Sequence, residues 1–185
     1  MIETRPGMRA GRMTTREMVT AALLAALLMS VAYWNIPIGV VPVTLQVFVV
    51  LLAALILGPV AAGAALAVYL LVGAAGIPVF AGPAGGIGVL AGPTGGYLIG
   101  FLMGVVLGAL VRTRVRGLVG DVIAVVVVLT AIYLVGWAQL AAVVHLSAGK
   151  AFLVGVAPFL ALDVAKAVAA VAVANALRRA GVGLG

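Results

Sequence analysis

Asp163 and Lys166 stand three residues apart in PFLALDVAKAVAAVAVANALRR, the last apolar stretch of the chain. Charged residues make up only 8% of the sequence, so two ionisable groups inside one apolar run are unusual. A charge near the centre of a bilayer-spanning helix costs roughly 2.5–3.5 kcal/mol on insertion scales, and such residues mark functional sites by default. The i,i+3 spacing puts both side chains on one helix face. There they either neutralise each other or hold a polar ligand between a carboxylate acceptor and an ammonium donor. Thr44 and Gln46 are a second polar pair, at the opening of another apolar stretch. Thr44 reads as a helix cap. Capping does not explain Gln46, an amide at the mouth of an apolar helix.

The elements that carry these residues belong in a membrane. The chain has 185 residues, of which 66% are hydrophobic, against roughly 45–50% in soluble domains. Its mean hydropathy is +1.38. A spanning helix takes about 20 residues, so with loops the length allows about six. The net charge of +7 does not point to nucleic acid, because the arginines flank apolar spans and act as topology signals. The absence of cysteine excludes disulfides and thiolate chemistry. One histidine and four acids leave little for a metal site, and none is expected. Gly86-Ile87-Gly88 with Ala91 imitates a dinucleotide fingerprint, but this composition holds no βαβ unit. No P-loop sequence is present, so ATP would have to act through a partner. With no Cys, no HExxH and no His near an acid in sequence, an intramembrane enzyme is poorly supported.

The expected fold is all-α: an integral membrane six-helix bundle with a Gly-rich, outward-facing loop between helices 3 and 4. A basic cytoplasmic tail covers about 1–15, one six-span transmembrane domain covers 16–179, and a short C-terminal tail covers 180–185. The spans are expected at about 18–34, 44–57, 60–75, 97–111, 122–144 and 152–177, with Pro158 bending the last or breaking its start. A retained first helix fits better than a cleaved signal peptide, because Ser30-Val31-Ala32 is a poor cleavage site. The stretch 77–96 is apolar but too rich in Gly and Pro for a regular helix. Irregular backbone is tolerated at membrane depth only where protein buries it or it lines a cavity, so it reads as a loop that dips back to line a pocket.

All nine arginines lie in the N-terminal tail, the 112–116 loop or at Arg178-Arg179. Six spans with both termini cytoplasmic put all three groups inside. Asp163 then lies about 15 residues, or roughly 22 Å, before Arg178. That places the pair in the outer half of the membrane, on the side of the Gly-rich loop. His145 and Lys150 read as outer-surface residues. Tyr33, Trp34, Tyr97, Tyr133 and Trp137 are candidates for interfacial aromatic belts, and Tyr97, which closes the loop, is equally a pocket candidate. Gly100, Gly104 and Gly108 make a stripe suited to internal helix packing. Ala21, Ala22, Ala25 and Ala26 suit either internal packing or the docking of another subunit.

Three segments carry a family resemblance: PVTLQVFVVLLAALILGP (42–59), GIPVFAGPAGGIGVLAGPTGGYLIGF (76–101) and APFLALDVAKAVAAVAVANALRR (157–179). They resemble the BioY family, the biotin-binding S components of energy-coupling factor (ECF) transporters. The long FAGP…GGIG…GPTGGY loop is the most specific of them, and the first-helix Ala stripe matches too. The resemblance implies a multi-pass protein of the bacterial cell (inner) membrane that captures extracellular biotin and works without a cofactor. It implies as partners a transmembrane coupling subunit and two ATPase subunits. Carried over by motif, the ligand site comprises Thr44, Gln46, Phe80, Gly82, Tyr97, Asp163 and Lys166, and the partner-docking face comprises Ala21, Ala22, Ala25 and Ala26. No arginine is placed to clamp the biotin carboxylate. A stand-alone secondary carrier and an S component for another vitamin, such as thiamine, stay open as alternatives.

Overall fold

The structure, a computed structural model, describes residues 13–181. Most of both expected tails, including Arg5, Arg9 and Arg12, lies outside the described residues. Among the described residues the order is α1 (Thr15–Tyr33), β1 (Asn35–Ile36), β2 (Val43–Thr44), α2 (Gln46–Ile56), α3 (Pro59–Ala74), α4 (Ile87–Ala91), α5 (Gly95–Arg114), α6 (Gly117–Val143), α7 (Ala148–Gly155) and α8 (Leu160–Arg179). The described residues are thus mostly helical, in keeping with so apolar a chain. Four helices, α1, α5, α6 and α8, are long and apolar enough to cross a membrane; α2 and α3 are apolar but shorter.

Several boundaries depart from the sequence reading for local reasons. The last expected span is two helices, α7 and α8, separated at Pro158. Proline lacks the N–H a continuous helix needs and disfavours helical backbone in the residue before it. The expected 112–116 loop is mostly helix: Arg112 and Arg114 occupy the last turn of α5. The stretch 35–42, expected as loop, contributes to a small antiparallel hairpin in which Asn35 faces Thr44 and Ile36 faces Val43. The Gly-rich stretch is folded rather than featureless. Phe80 and Ala84 bridge across a tight turn, the Gly86 N–H donates to the Gly73 carbonyl, and α4 follows.

Helix α2 is the core. Gln46 and every residue from Val49 to Ile56 are buried, as expected of a helix that is apolar on all sides. Helices α1, α5, α6 and α8 surround it. The Gly stripe of α5 lies against α6: a β-carbon at Gly104 would stand 3.0 Å from the Val128 carbonyl oxygen, and one at Gly100 would stand 2.7 Å from the Ile132 α-carbon. Internal packing is therefore the role of these glycines. At the start of α1, Thr14 and Glu17 form a capping box that satisfies otherwise orphaned N–H groups.

One end of the bundle is held by charge. Asp121, 1% exposed, pairs with Arg112 (2.5 Å) and Arg178 (2.5 Å). Arg178 also donates to the Leu55 carbonyl at the end of α2 and to Asn175. A single carboxylate thus ties the ends of α2, α5 and α8 to the start of α6. Removing one member of a buried ion pair costs about 3–5 kcal/mol, because the rest is left uncompensated. Asp121→Ala should lower detergent-solubilised thermal stability by that order. A change below about 1 kcal/mol would show that the cluster does not hold the helices together.

Candidate functional site

At the opposite end from the Asp121 cluster the helices enclose a cavity of about 290 Å³. That is close to the lower end of the roughly 300–1,000 Å³ typical of small-molecule sites. Its walls come from the hairpin, α2, the Gly-rich stretch, α5, α6, the turn before α8 and α8 itself. The cavity forms there because Pro158 breaks the last span and the Gly-rich stretch replaces a regular helix, which leaves a gap between the helix ends.

The polar side of the cavity starts with α8. Asp163 sits in the first turn of α8, where the helix dipole favours a negative charge. Asp163 is 3% exposed. The Lys166 ammonium donates to its Oδ1 at 2.6 Å, and the Tyr133 hydroxyl of α6 donates to its Oδ2 at 2.5 Å. Each oxygen thus has one protein donor and keeps lone-pair capacity. Lys166 spends one of three N–H bonds on Asp163 and also lines the cavity.

A second polar chain runs from the hairpin into the core. The Thr44 hydroxyl donates to Gln46 Oε1 (3.0 Å) and accepts from the Gln46 backbone N–H (3.2 Å). Gln46 Nε2 donates to the Tyr69 hydroxyl. Leu45 holds the N-cap position of α2 without a side-chain cap, so the capping expected of Thr44 reduces to this one contact with the first N–H of the helix, and Thr44 is also a wall residue. It holds the Gln46 amide, which also lines the cavity.

The remaining wall is apolar and aromatic. Phe80 is buried and meets Tyr69 edge-on, with ring centroids 5.5 Å apart and an interplanar angle of 79°. Gly73 lets the Phe80 ring lie directly on α3, because a β-carbon there would overlap it. Tyr97 contributes its ring, packed on Gly136, while its hydroxyl donates to the Gly155 carbonyl at 2.8 Å. Its polar end thus ties α5 to α7. Phe101 and Phe159 complete this wall.

Six of the seven expected ligand residues line this one cavity: Thr44, Gln46, Phe80, Tyr97, Asp163 and Lys166. Gly82 does not. Its φ of +75° serves the turn between Phe80 and Ala84, and its α-carbon faces Asn35. The alanine stripe divides: Ala21 and Ala25 are buried, whereas Ala22 and Ala26 are exposed. All four border a shallow groove with Ala64, Ala65 and Val68 of α3, separate from the cavity.

Tyr133 was a candidate for an interfacial belt; in the structure it lines the cavity. The signal was its depth: it lies ten residues before the end of α6, roughly 15 Å inside. Tyr69 was missed altogether, although a tyrosine inside an apolar helix needs a partner for its hydroxyl. Tyr33 and Trp34, by contrast, are exposed, as belt residues would be. Among the described residues no arginine lines the cavity, and no group of three or more His, Asp or Glu could hold a metal. The arrangement suits a small, largely apolar molecule whose polar head both donates and accepts hydrogen bonds.

Comparisons with known proteins agree with this architecture. A model of the BioY family matches residues 5–182. The probable biotin transporter BioY of Pyrococcus horikoshii is 43% identical over 166 residues, covering 90% of this chain and 98% of that protein. The biotin transporter BioY of Thermotoga maritima is 40% identical over 164 residues, covering 89% and 96%. A crystal structure of the S-component for biotin from an ECF-type ABC transporter superposes with a TM-score of 0.82 at 25% identity, over 91% of this chain and 95% of that one. With the family match spanning nearly its whole length, the chain belongs to the BioY family.

Proposed function

We propose that this chain is the capturing subunit of a biotin importer. It binds extracellular biotin with high affinity, and an ECF module of one transmembrane coupling subunit and two ATPase subunits energises release to the inside. The observation that carries this reading is the Asp163–Lys166 pair on the wall of a small, otherwise apolar cavity. Biotin has a flat ureido head with two N–H donors and one carbonyl, an apolar thioether ring and chain, and a carboxylate tail. Asp163 accepts from a ureido N–H. Lys166 or Gln46 donates to the ureido carbonyl, and Thr44 holds Gln46 in place. Phe80 and the ring of Tyr97 cover the apolar part. Backbone N–H groups of the Gly-rich stretch are available to the tail carboxylate. The charge balance favours biotin over thiamine, whose positive ring calls for an uncompensated acid; Asp163 already has Lys166.

Six membrane crossings fit the contacts. Helix α2 starts at the cavity with Gln46 and ends beside Arg178 through Leu55. Helix α3 runs back, from Gly58 near Glu17 to Gly73 beneath Phe80. Arg112 and Arg178 meet at the end away from the cavity. The positive-inside rule makes that end cytoplasmic and the Gly-rich stretch extracellular. The exposed Ala22 and Ala26 are the face offered to the coupling subunit, since Ala21 and Ala25 are spent within the bundle. In intact cells an impermeant thiol reagent should label a cysteine at His145 and spare one at Arg116. Ala22→Trp should reduce co-purification of the coupling subunit without changing biotin affinity. Labelling at Arg116, or equal loss of both properties in Ala22→Trp, contradicts these assignments.

The binding test uses the purified chain titrated with biotin, thiamine and riboflavin. Biotin alone should bind tightly. Asp163→Asn keeps the shape but removes the charge, so biotin should bind about 1.5–3 kcal/mol more weakly, or roughly 10–150-fold. A folded, monodisperse Asp163→Asn/Lys166→Met double variant should stay weak. Recovery of wild-type affinity would make the pair a structural one only.

A further inference from the structure

The Tyr133–Asp163 contact joins helices that otherwise pack sparsely against each other. At the far end the same two helices are joined by Asp121 and Arg178. Tyr133 follows Asp121 by 12 positions along α6, about 18 Å. Arg178 follows Asp163 by 15 positions along α8, about 22 Å at 1.5 Å per residue. The two helices are thus pinned by two acids at points about 18 Å apart along α6 and about 22 Å apart along α8. The acid at the cavity end is the one whose partner is a neutral hydroxyl from across the gap.

That difference matters for recognition. Lys166 reaches Oδ1 from the next turn of the same helix, so it can follow the carboxylate when the side chain rotates. Tyr133 comes from another helix and holds Oδ2, so the two contacts together fix the plane of the carboxylate. A planar donor head needs its acceptor in a set plane, because hydrogen bonds weaken steeply as they bend. Tyr133 also has no other polar partner among the described residues, and it lines the cavity beside Asp163.

On the basis of the biotin-binding reading, we propose that Tyr133 is the positioning residue for ligand recognition. It orients Asp163 so that the pair selects heads bearing ring N–H donors, and this makes residue 133 a determinant of specificity. The ligand class is a cyclic urea or a closely related N–H-bearing ring. Tyr133 acts through Asp163, so its effect vanishes when either Asp163 or the ring N–H is removed.

The test compares wild type, Tyr133→Phe, Asp163→Asn and the double variant, each purified and monodisperse. The ligands are biotin and a biotin analogue methylated on the ring nitrogens. Tyr133→Phe keeps the ring and loses only the hydroxyl. Biotin affinity should fall about five- to twentyfold, the range of one good hydrogen bond, while analogue affinity should stay within about twofold. In the Asp163→Asn background the same substitution should change biotin affinity by less than twofold. Equal loss for both ligands, additive losses in the double variant, or unchanged biotin affinity in Tyr133→Phe would each overturn the proposal. The proposed function fails separately, if the wild-type chain does not bind biotin at all.

Discussion

The structure depends on one constraint: a carboxylate buried among apolar helices must have every oxygen answered from within the protein. Asp163 is answered by Lys166 along its own helix and by Tyr133 across the gap. In a low-dielectric interior such hydrogen bonds are stronger than in water, and a missing one is correspondingly costly. Asp121 is answered by charge instead: Arg178 donates to its Oδ2, and Arg112 meets its Oδ1 as an ion pair without hydrogen-bond geometry. The two ends of the bundle solve the same problem differently. The Asp121 end carries an excess of positive charge and closes on itself. The Asp163 end balances one charge against one and leaves N–H and lone-pair capacity facing a cavity.

That contrast divides the labour within the fold. The tight α5–α6 contact, made possible by Gly100, Gly104 and Gly108, gives one rigid wall. Helix α2, apolar on all sides, fills the middle and delivers Gln46 to the cavity at its first residue. The less regular parts, namely the hairpin, the Gly-rich stretch and the break at Pro158, all lie around the cavity. Helical regularity is given up where a small molecule needs room, and kept where helices must meet. In membranes this is the rule for irregular backbone: it survives where protein buries it or a cavity needs it.

Much of this was legible in the sequence, because in so apolar a chain each polar residue must be explained. Asp163, Lys166 and Gln46 stood out on that ground, Thr44 joined them through the family resemblance, and all four line one cavity. The division of α7 from α8 was legible in Pro158. Tyr133 was not recognised, because tyrosine has a ready alternative at membrane interfaces and only its depth within α6 argues against that. Asp121 was overlooked because it falls among arginines that already had a role as topology signals. Gly82 entered the expected site with the motif it belongs to; in the structure its positive φ serves the turn, and it is not among the residues that line the cavity. The split of the Ala stripe into buried and exposed halves needed the position of α3, which no local pattern encodes.

The central claim is that the Asp163–Lys166 pair meets the polar head of the ligand, with Tyr133 holding the carboxylate in plane. The most direct measurement is a crystal structure of the chain with biotin bound. The account predicts a ureido N–H donating to the Asp163 carboxylate within hydrogen-bond distance, the Tyr133–Asp163 contact retained, and the thioether ring against Phe80. Biotin seated elsewhere, or in this cavity with its ureido head turned away from Asp163, would contradict it.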